Sequence, residues 1–332
     1  MKRHKPLLLV VIALLLVVNL LNAEGKKETT PATKAKYTFA FVPGVLTNPF
    51  YIAMWHGALK AAQENNIELL WQGPQEWDFS KQTVIVESLL ARKPDALLLS
   101  PCDPEAMKSP LQKAVNSGIL VITTDTDIND PEYKIRKQVI ASDNYKGGQE
   151  AGEALAKAIK GKGEVALMGA MVGVTTNEQR YDGFKNALSK YPDIKIVTTQ
   201  FSNSDQAKAA EQMQSVLLAH PNLAGAFGVD TPTAHGCAVG LRNAGKTGKV
   251  VLVGFDSQPL EVEDLKAGLI SMLVAQAPYE MGYLGVQNAY KYLTGQAKEL
   301  QKSITTGFYI INSENVNAPE TSKWVYHTEM PK

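Results

Sequence analysis

Four acidic or amide side chains stand directly after apolar runs of this sequence. Asp125 follows LVITT, Asp230 follows GAFGV, Asp256 follows VVLVGF and Gln276 follows ISMLVA. Carboxylate and amide oxygens accept hydrogen bonds, and a carboxylate suits two neighbouring hydroxyl groups. These residue types predict a site for a small polyhydroxylated ligand. An Asp at the end of a strand also commonly caps a helix or forms a turn, so for any single residue both interpretations stay open.

Aromatic side chains occur near these polar groups. Asn48 and Phe50 follow the first apolar run, and Trp77 follows the second. An aromatic face can cover the C–H side of a sugar ring. Asn48 and Pro49 also have the residue types of a helix N-cap and first helical position. Asn48 therefore either binds the ligand or only caps a helix that holds Phe50 over the site.

The elements that must position these residues follow from an alternation that begins at Tyr37. Short apolar runs alternate with amphipathic stretches of about ten to fifteen residues, which is typical of parallel strands joined by covering helices. The alternation starts again at EVALMG, so two sheets of similar size are predicted. In such sheets ligands bind at the carboxyl ends of the strands. Helices are predicted at residues 49–65, 80–91, 104–117, 176–191, 204–219, 233–243, 259–267 and 279–293, with another ending at residue 159.

The first 23 residues have the pattern of a secretory signal peptide. Three basic residues precede an apolar run at 7–21, and small residues follow it. The alternative is an uncleaved membrane anchor, although the run falls short of the ~20 residues that a spanning helix needs. Residues 24–36 are polar and predict a linker. We therefore predict export to the periplasm by a cleavable signal.

Composition excludes several classes of protein. The chain has 332 residues, 45% of them hydrophobic, which is ordinary globular usage for two domains. Its 34 basic and 33 acidic residues leave a net charge of +1, without the basic surface that nucleic acid requires. Only Cys102 and Cys237 are present, and a domain of this size needs no disulfide. No nucleic-acid partner is expected.

Two motifs suggest other chemistry but lack its context. The segment 240–247, GLRNAGKT, matches a phosphate-binding loop, yet a helix is predicted before it and a strand after it, the reverse of what that loop needs. Gly245 is instead predicted to end the helix. A calcium loop starting at Asp125 would need a glycine where Asp130 stands and a glutamate where Arg136 stands. No catalytic constellation is found, so we predict no enzyme, no metal and no cofactor.

Five short segments occur in an order that is more specific than any one of them. They are LTNPFY at 46–51, ASDN at 141–144 followed by Gly147 and Gly148, NEQRYDGF at 177–184, VGFD at 253–256 and AQAP at 275–278. Together they resemble the ribose-type periplasmic sugar-binding proteins, which are the receptors of bacterial ABC importers. The resemblance extends from about Tyr37 to Ile311.

The resemblance implies the periplasmic binding protein type I fold. This is an α/β fold with two doubly wound parallel-sheet lobes, joined by a hinge of three crossings that closes over the ligand. The implied N-terminal lobe comprises residues 37–142 plus 277–306. The implied C-terminal lobe comprises residues 143–276 plus 307–332.

The resemblance also implies ligand-binding roles for residues at matching motif positions. Arg180 should act as a fixed donor beside an acidic acceptor, with a surface salt bridge as its alternative role. Phe50 and Tyr51 should supply aromatic faces. The residues that should hydrogen-bond the ligand are Asn48, Asp125, Arg180, Asp230, Asp256 and Gln276.

Two departures from the ribose receptors make ribose itself a doubtful ligand. Thr126 stands after Asp125 where those receptors have an arginine, and Ser204 stands where they carry an aromatic residue. The loop at 73–78 is similar to relatives that bind other sugars, polyols or autoinducer-2. Trp77 in that loop is the candidate replacement for the lost ring.

These observations predict a monomeric periplasmic receptor. It would bind a sugar or polyol and deliver it to an inner-membrane ABC permease. The alternative is a sensory receptor that presents a bound sugar or autoinducer-2 to a chemoreceptor or membrane kinase. A secreted enzyme would need a nucleophile or base that the sequence does not offer, and a transcription regulator would need an N-terminal helix-turn-helix.

Overall fold

The computed structural model describes residues 37–329. The predicted signal peptide, residues 1–23, and the predicted linker, residues 24–36, lie outside this range. Among the described residues, no helix combines the length and apolar character that crossing a membrane would require.

Six strands form the first sheet, and every neighbouring pair is parallel. In spatial order they are β11 (Ser303–Thr306), β5 (Gln138–Ser142), β4 (Leu120–Thr124), β3 (Ala96–Leu99), β1 (Tyr37–Val42) and β2 (Ile67–Trp71).

Six further strands form the second sheet, which is parallel except for the antiparallel pair at one edge. In spatial order they are β12 (Tyr309–Asn312), β10 (Met272–Ala275), β9 (Val251–Phe255), β8 (Leu223–Gly228), β6 (Lys162–Gly169) and β7 (Asp193–Phe201).

Nine α-helices connect the strands of the described chain. Helices α1, α2, α3 and α9 pack on the first sheet or on one another. Helices α4 to α8 pack on the second sheet or on one another. They are α1 (Pro49–Glu64), α2 (Phe79–Leu90), α3 (Lys108–Asn116), α4 (Asn144–Ala158), α5 (Thr175–Leu188), α6 (Gln206–Ala219), α7 (Thr231–Asn243), α8 (Pro259–Lys266) and α9 (Pro278–Leu293).

Each sheet is buried on both faces. In β1, Phe39 and Phe41 join one hydrophobic cluster, whereas Ala40 and Val42 join the cluster on the opposite face. Strands β3 and β6 divide their side chains between two clusters in the same way. Burial on both faces explains why these strands are continuous apolar runs instead of alternating ones.

Two predicted elements differ from the structure for local reasons. The helix predicted at 104–117 begins only at Lys108, after turns at 104–107. Pro110 lacks the N–H that would bond one turn back, so it is tolerated only in the first turn of a helix. Strand β11, of sequence SITT, was not predicted because it is a polar edge strand with little apolar signal.

The chain passes between the two sheets after Ser142, after Ala275 and after Thr306. The predicted architecture of two parallel-sheet α/β lobes is confirmed. The lobe boundaries given above, 37–142 plus 277–306 and 143–276 plus 307–332, stay a prediction.

Close helix contacts in each lobe depend on pairs of glycines. A Cβ on Gly183 of α5 would lie 1.9 Å from the carbonyl oxygen of Tyr145 in α4, and one on Gly148 would lie 2.2 Å from that of Arg180. In the first lobe, Gly57 of α1 and Gly282 of α9 make equally close backbone contacts. In both lobes, a helix that starts at a crossing is thus packed tightly against a second helix.

Candidate ligand-binding site

A cavity of about 190 Å³ lies between the two lobes, where loops follow the strands of both sheets. Its volume suits a ligand smaller than the drug-sized molecules that fill pockets of about 300–1,000 Å³. Eight of the nine residues predicted from sequence line it: Asn48, Phe50, Tyr51, Trp77, Asp125, Asp230, Asp256 and Gln276. The others are Val45, Thr126, Met171, Val174, Thr176, Asn177, Ser204, Thr231, Pro232 and Gln258.

Asp125 is the first residue beyond β4, where Thr124 still pairs with Ile140 of β5. Its backbone has a φ of 63°, a left-handed conformation that Asp tolerates better than most residues. The Tyr51 hydroxyl donates to its Oδ2 at 2.7 Å, while Oδ1 accepts no hydrogen bond from the described residues. Burial raises the pKa of Asp125 to about 6, although the Tyr51 hydrogen bond and the Arg180 charge oppose the shift.

Asp256 occupies the corresponding position in the second lobe. It follows β9, where Phe255 pairs with Val274, and its φ is 90°. Gln276 Nε2 donates to its Oδ1 at 2.6 Å, and the Tyr326 hydroxyl donates to the same oxygen at 2.9 Å. Burial raises the pKa of Asp256, with Arg180 opposing the shift. Strained backbone at two facing carboxylates is typical of a functional site.

Asp230 and Asn48 both cap helices and line the cavity. Asp230 Oδ1 accepts from the Thr233 N–H at 3.0 Å, and its Oδ2 accepts from the Ser204 hydroxyl at 2.6 Å. Asn48 Oδ1 accepts from the Phe50 N–H at 2.9 Å. The capping alternative therefore describes part of what these two residues do, whereas Asp125 and Asp256 cap no helix.

One of these caps also connects the lobes. Gln258, which precedes α8 in the second lobe, donates from Nε2 to Asn48 Oδ1 in the first lobe at 3.1 Å. Asn48 therefore contacts both lobes directly at the edge of the cavity.

Arg180 is the one predicted residue that does not line the cavity. Its Nε donates to Asn144 Oδ1 at 2.8 Å, a terminal nitrogen donates to the Val229 carbonyl at 2.9 Å, and the guanidinium lies 3.7 Å from the centre of the Phe255 ring. The side chain is buried, so the alternative of a surface salt bridge is wrong. A direct bond from Arg180 to the ligand stays a prediction.

Aromatic rings form part of the first-lobe wall. Phe50 packs edge-on against Tyr51, with ring centres 5.2 Å apart. Trp77 is half-buried beside Gly44, where a Cβ would lie 2.4 Å from the indole ring. The absence of a side chain at Gly44 thus lets Trp77 reach the cavity.

The rejected motifs have structural roles instead. Gly245, with a φ of 62°, follows α7, and the Lys246 N–H donates back to the Leu241 carbonyl at 2.9 Å, as expected for a helix stop. Asp127 and Asp130 bind the buried Arg136 guanidinium at 2.5 and 3.3 Å. Cys102 and Cys237, the only two cysteines, are both buried free thiols.

Comparison with known proteins identifies the family. The model of the periplasmic binding protein domain matches residues 39–297. This chain belongs to the periplasmic binding protein family. The predicted resemblance to the ribose-type members is confirmed, and so is the prediction of a binding protein instead of an enzyme.

Several relatives of this periplasmic binding protein are similar over most of its length. It is 32% identical to the D-ribose/D-allose-binding protein of Pseudomonas aeruginosa, over 81% of this chain and 86% of that protein. It is 28% identical to the ribose import binding protein of Bacillus subtilis, over 88% and 92%. A solved ABC transporter solute-binding protein of Agrobacterium vitis, bound with α-D-tagatopyranose, is 39% identical with a TM-score of 0.83, covering 88% of this chain and 100% of that one.

Sequence reasoning missed several residues that line the cavity of this periplasmic binding protein or hydrogen-bond to its carboxylates. Gln258 and Thr176 carry no motif of their own, although each stands at or next to the start of a helix that faces the cavity. Tyr326 lies in the C-terminal tail, beyond the last strand, where no local pattern points to the cavity.

Proposed function

We propose that this protein is a periplasmic receptor that binds a monosaccharide or related polyol between its lobes and delivers it to an ABC importer in the inner membrane. One observation carries the proposal. Asp125 and Asp256, from opposite lobes, face one cavity, and each has one oxygen held by the protein and one that accepts no hydrogen bond from residues 37–329. Such oxygens are suited to accept hydroxyl groups of a ligand.

The arrangement supports closure driven by the ligand. A solute can shift the lobes toward the closed state only if it binds that state more tightly than the open one. A sugar hydrogen-bonded to Asp125 and Asp256 together satisfies this condition, because the two carboxylates belong to different lobes. Tyr51 holds Asp125 and Gln276 holds Asp256, each by a hydrogen bond within one lobe, which lowers the entropy cost of binding.

Two residues of the cavity and the solved relatives narrow the identity of the ligand. Thr126 and Ser204 remove features of the ribose receptors, while the solved relative at 39% identity is bound with α-D-tagatopyranose. Other solved relatives, 32% and 30% identical, are bound with D-arabinose and D-allose. We therefore expect a neutral hexose or pentose and would test D-tagatose first. An importer partner is favoured over a sensory one because the relatives are named as import or ABC transporter proteins.

The experiment that tests the function is a thermal-shift screen on protein purified from the periplasm of an expression host, in which any signal has been processed. The panel contains D-tagatose, D-allose, D-ribose, D-arabinose, polyols, autoinducer-2, amino acids and nucleosides. A ligand at 100 times its Kd should stabilise the folded state by about 2.7 kcal/mol. A hit confined to amino acids or nucleosides would contradict the sugar receptor. Mass spectrometry of the same protein tests cleavage after residue 23.

Trp77→Ala is expected to weaken D-tagatose binding about tenfold, because the aromatic face over the ligand and its apolar contact are lost. Isothermal titration calorimetry measures the effect. The matched control is Trp55→Ala. Trp55 is also half-buried, but its ring stacks on that of Trp71, with ring centres 4.8 Å apart, and it does not line the cavity. Equal losses of affinity in both variants would show that Trp77 acts on the fold alone.

Binding is expected to weaken below pH 6. Ligand hydroxyls need the ionised Asp125 as acceptor, and burial raises its pKa to about 6 from 3.8. Below this pKa the Kd should rise about tenfold per pH unit. The stability of the ligand-free protein should respond in the opposite sense. Because burial raises the pKa of Asp125 in the folded state, protonation removes a buried charge. The contribution of Asp125 to the free energy of unfolding therefore increases as pH falls from above 6 toward 4.

Calorimetry and thermal unfolding over pH 4.5–8 check both trends. Binding that stays constant down to pH 5 would mean that Asp125 either remains ionised there or does not serve as a ligand acceptor.

A further inference from the structure

The C-terminal tail, residues 313–329, starts in the second lobe. Its 3-10 helix, Pro319–Trp324, places Trp324 flat against Tyr309 of β12, with ring centres 5.6 Å apart. Ser257, beside the cavity carboxylate Asp256, donates from its hydroxyl to the Trp324 carbonyl. The Tyr326 N–H donates to the Ser257 carbonyl at 3.1 Å. The tail is thus bound to the loop that carries Asp256.

From this tail, the Tyr326 side chain reaches the first lobe. The side chain is 1% exposed and belongs to the hydrophobic cluster of that lobe. Its ring packs edge-on against Phe50, with ring centres 5.6 Å apart. In addition to the crossings after Ser142, Ala275 and Thr306, the Tyr326 side chain therefore forms a contact between the lobes.

The Tyr326 hydroxyl is hydrogen-bonded both to a carboxylate of the cavity and to the backbone at a hinge crossing. It donates to Asp256 Oδ1 at 2.9 Å and accepts the backbone N–H of Gln276 at 3.0 Å. Gln276 follows β10 at the second crossing, and its side chain donates to the same Asp256 oxygen. Oδ2 of Asp256 accepts no hydrogen bond from the described residues. The two protein donors therefore fix which oxygen faces the ligand.

We propose that Tyr326 is a positioning residue of the binding site: it orients the Asp256 carboxylate for the ligand and ties that orientation to the hinge and to Phe50. The role toward a ligand rests on the proposed function, whereas the role toward Asp256 does not. When the lobes separate, the Tyr326 ring must leave Phe50 or its hydroxyl must leave Asp256. The tail thereby couples the geometry of the acceptor to closure.

The test is Tyr326→Phe in the full chain as exported. Its control is Tyr191→Phe, since the Tyr191 hydroxyl also donates to a carboxylate, Glu153, at 2.6 Å, but outside the cavity. Carboxyl NMR titration of the ligand-free protein should show the pKa of Asp256 higher in Tyr326→Phe than in wild type, because a donor to the ionised form is lost. Calorimetry should show D-tagatose binding about tenfold weaker, a loss typical of a hydrogen bond to a charged group. Tyr191→Phe should change neither quantity.

An unchanged Asp256 titration together with unchanged affinity would overturn the proposal. An unfolded Tyr326→Phe, seen by circular dichroism, would also overturn it, because the hydroxyl would then serve the fold in general. If the Asp256 pKa rises but wild type binds neither D-tagatose nor any other sugar of the panel, the positioning of the carboxylate is supported and the proposed function fails.

Discussion

Asp125→Asn is expected to abolish sugar binding, with at least a hundredfold rise in Kd. The substitution keeps the shape and tolerates the positive φ, but it replaces a carboxylate with an amide that is a weaker acceptor. A hydrogen bond to a charged acceptor contributes up to about 3 kcal/mol. Losing about 3 kcal/mol of binding free energy corresponds to about a hundredfold rise in Kd. The ligand-free protein should be as stable as wild type at pH 7, or more stable, because a buried charge is removed. Calorimetry and thermal unfolding measure both effects.

The control for this substitution is Asp143→Asn. Asp143 is exposed and caps α4 by accepting the Lys146 N–H at 3.0 Å, and it does not line the cavity. It should lower stability by about 1 kcal/mol or less and leave affinity unchanged. A large loss of ligand-free stability in Asp125→Asn would show instead that Asp125 serves the fold, through Tyr51, more than the ligand.

Arg180→Met is expected to destabilise the folded protein by about 3 kcal/mol or more, since it removes a buried charge partner and leaves polar groups without donors. The Val229 carbonyl and the Asn144 amide oxygen lose their hydrogen bonds. The Arg180 charge also lowers the pKa of Asp125 and Asp256, so its loss should raise both values further. Urea unfolding and carboxyl NMR titration measure the two effects.

The comparison variant is Arg242→Met. Arg242 lies in the last turn of α7 and is exposed, and the described structure shows no salt bridge for it. Its loss should change stability by about 0.5 kcal/mol or less. If Arg180→Met is equally mild and leaves the carboxyl titrations unchanged, then Arg180 does not stabilise the charges of the cavity.

The part of the site that was predictable from sequence comes from the geometry of parallel sheets. Asp125, Asp256 and Gln276 each follow an apolar run, and the carboxyl ends of neighbouring parallel strands share one edge. Asp256 and Gln276 follow the neighbouring strands β9 and β10, so their meeting needed only the correct strand assignment. Asp125 belongs to the other sheet, so it meets them only because the two lobes face each other. Asn48 was equally local, because its cap depends on Pro49 and the start of α1.

Other features depend on contacts between distant segments. The Arg180 guanidinium is held by Asn144 and the Val229 carbonyl, which no spacing rule relates to it, and its predicted bond to the ligand stays a prediction. Tyr326 reaches Asp256 from 70 residues further along the chain, through a tail without periodic pattern. Strand β11 is recognisable only from its pairing with β5.

The reciprocal glycine contacts of α1 with α9 and of α4 with α5 have a mechanical consequence. Helices α4 and α9 each begin at a crossing, while α1 and α5 carry or adjoin residues of the cavity wall. Because these helix backbones are in direct contact, the helices have little room to slide past each other. Each lobe should therefore rotate about the crossings as a rigid body. A small rotation at the hinge then becomes a larger displacement at the outer tips of the lobes. A membrane partner that binds both tips can therefore distinguish the closed protein from the open one by the distance between the tips, without contacting the bound solute.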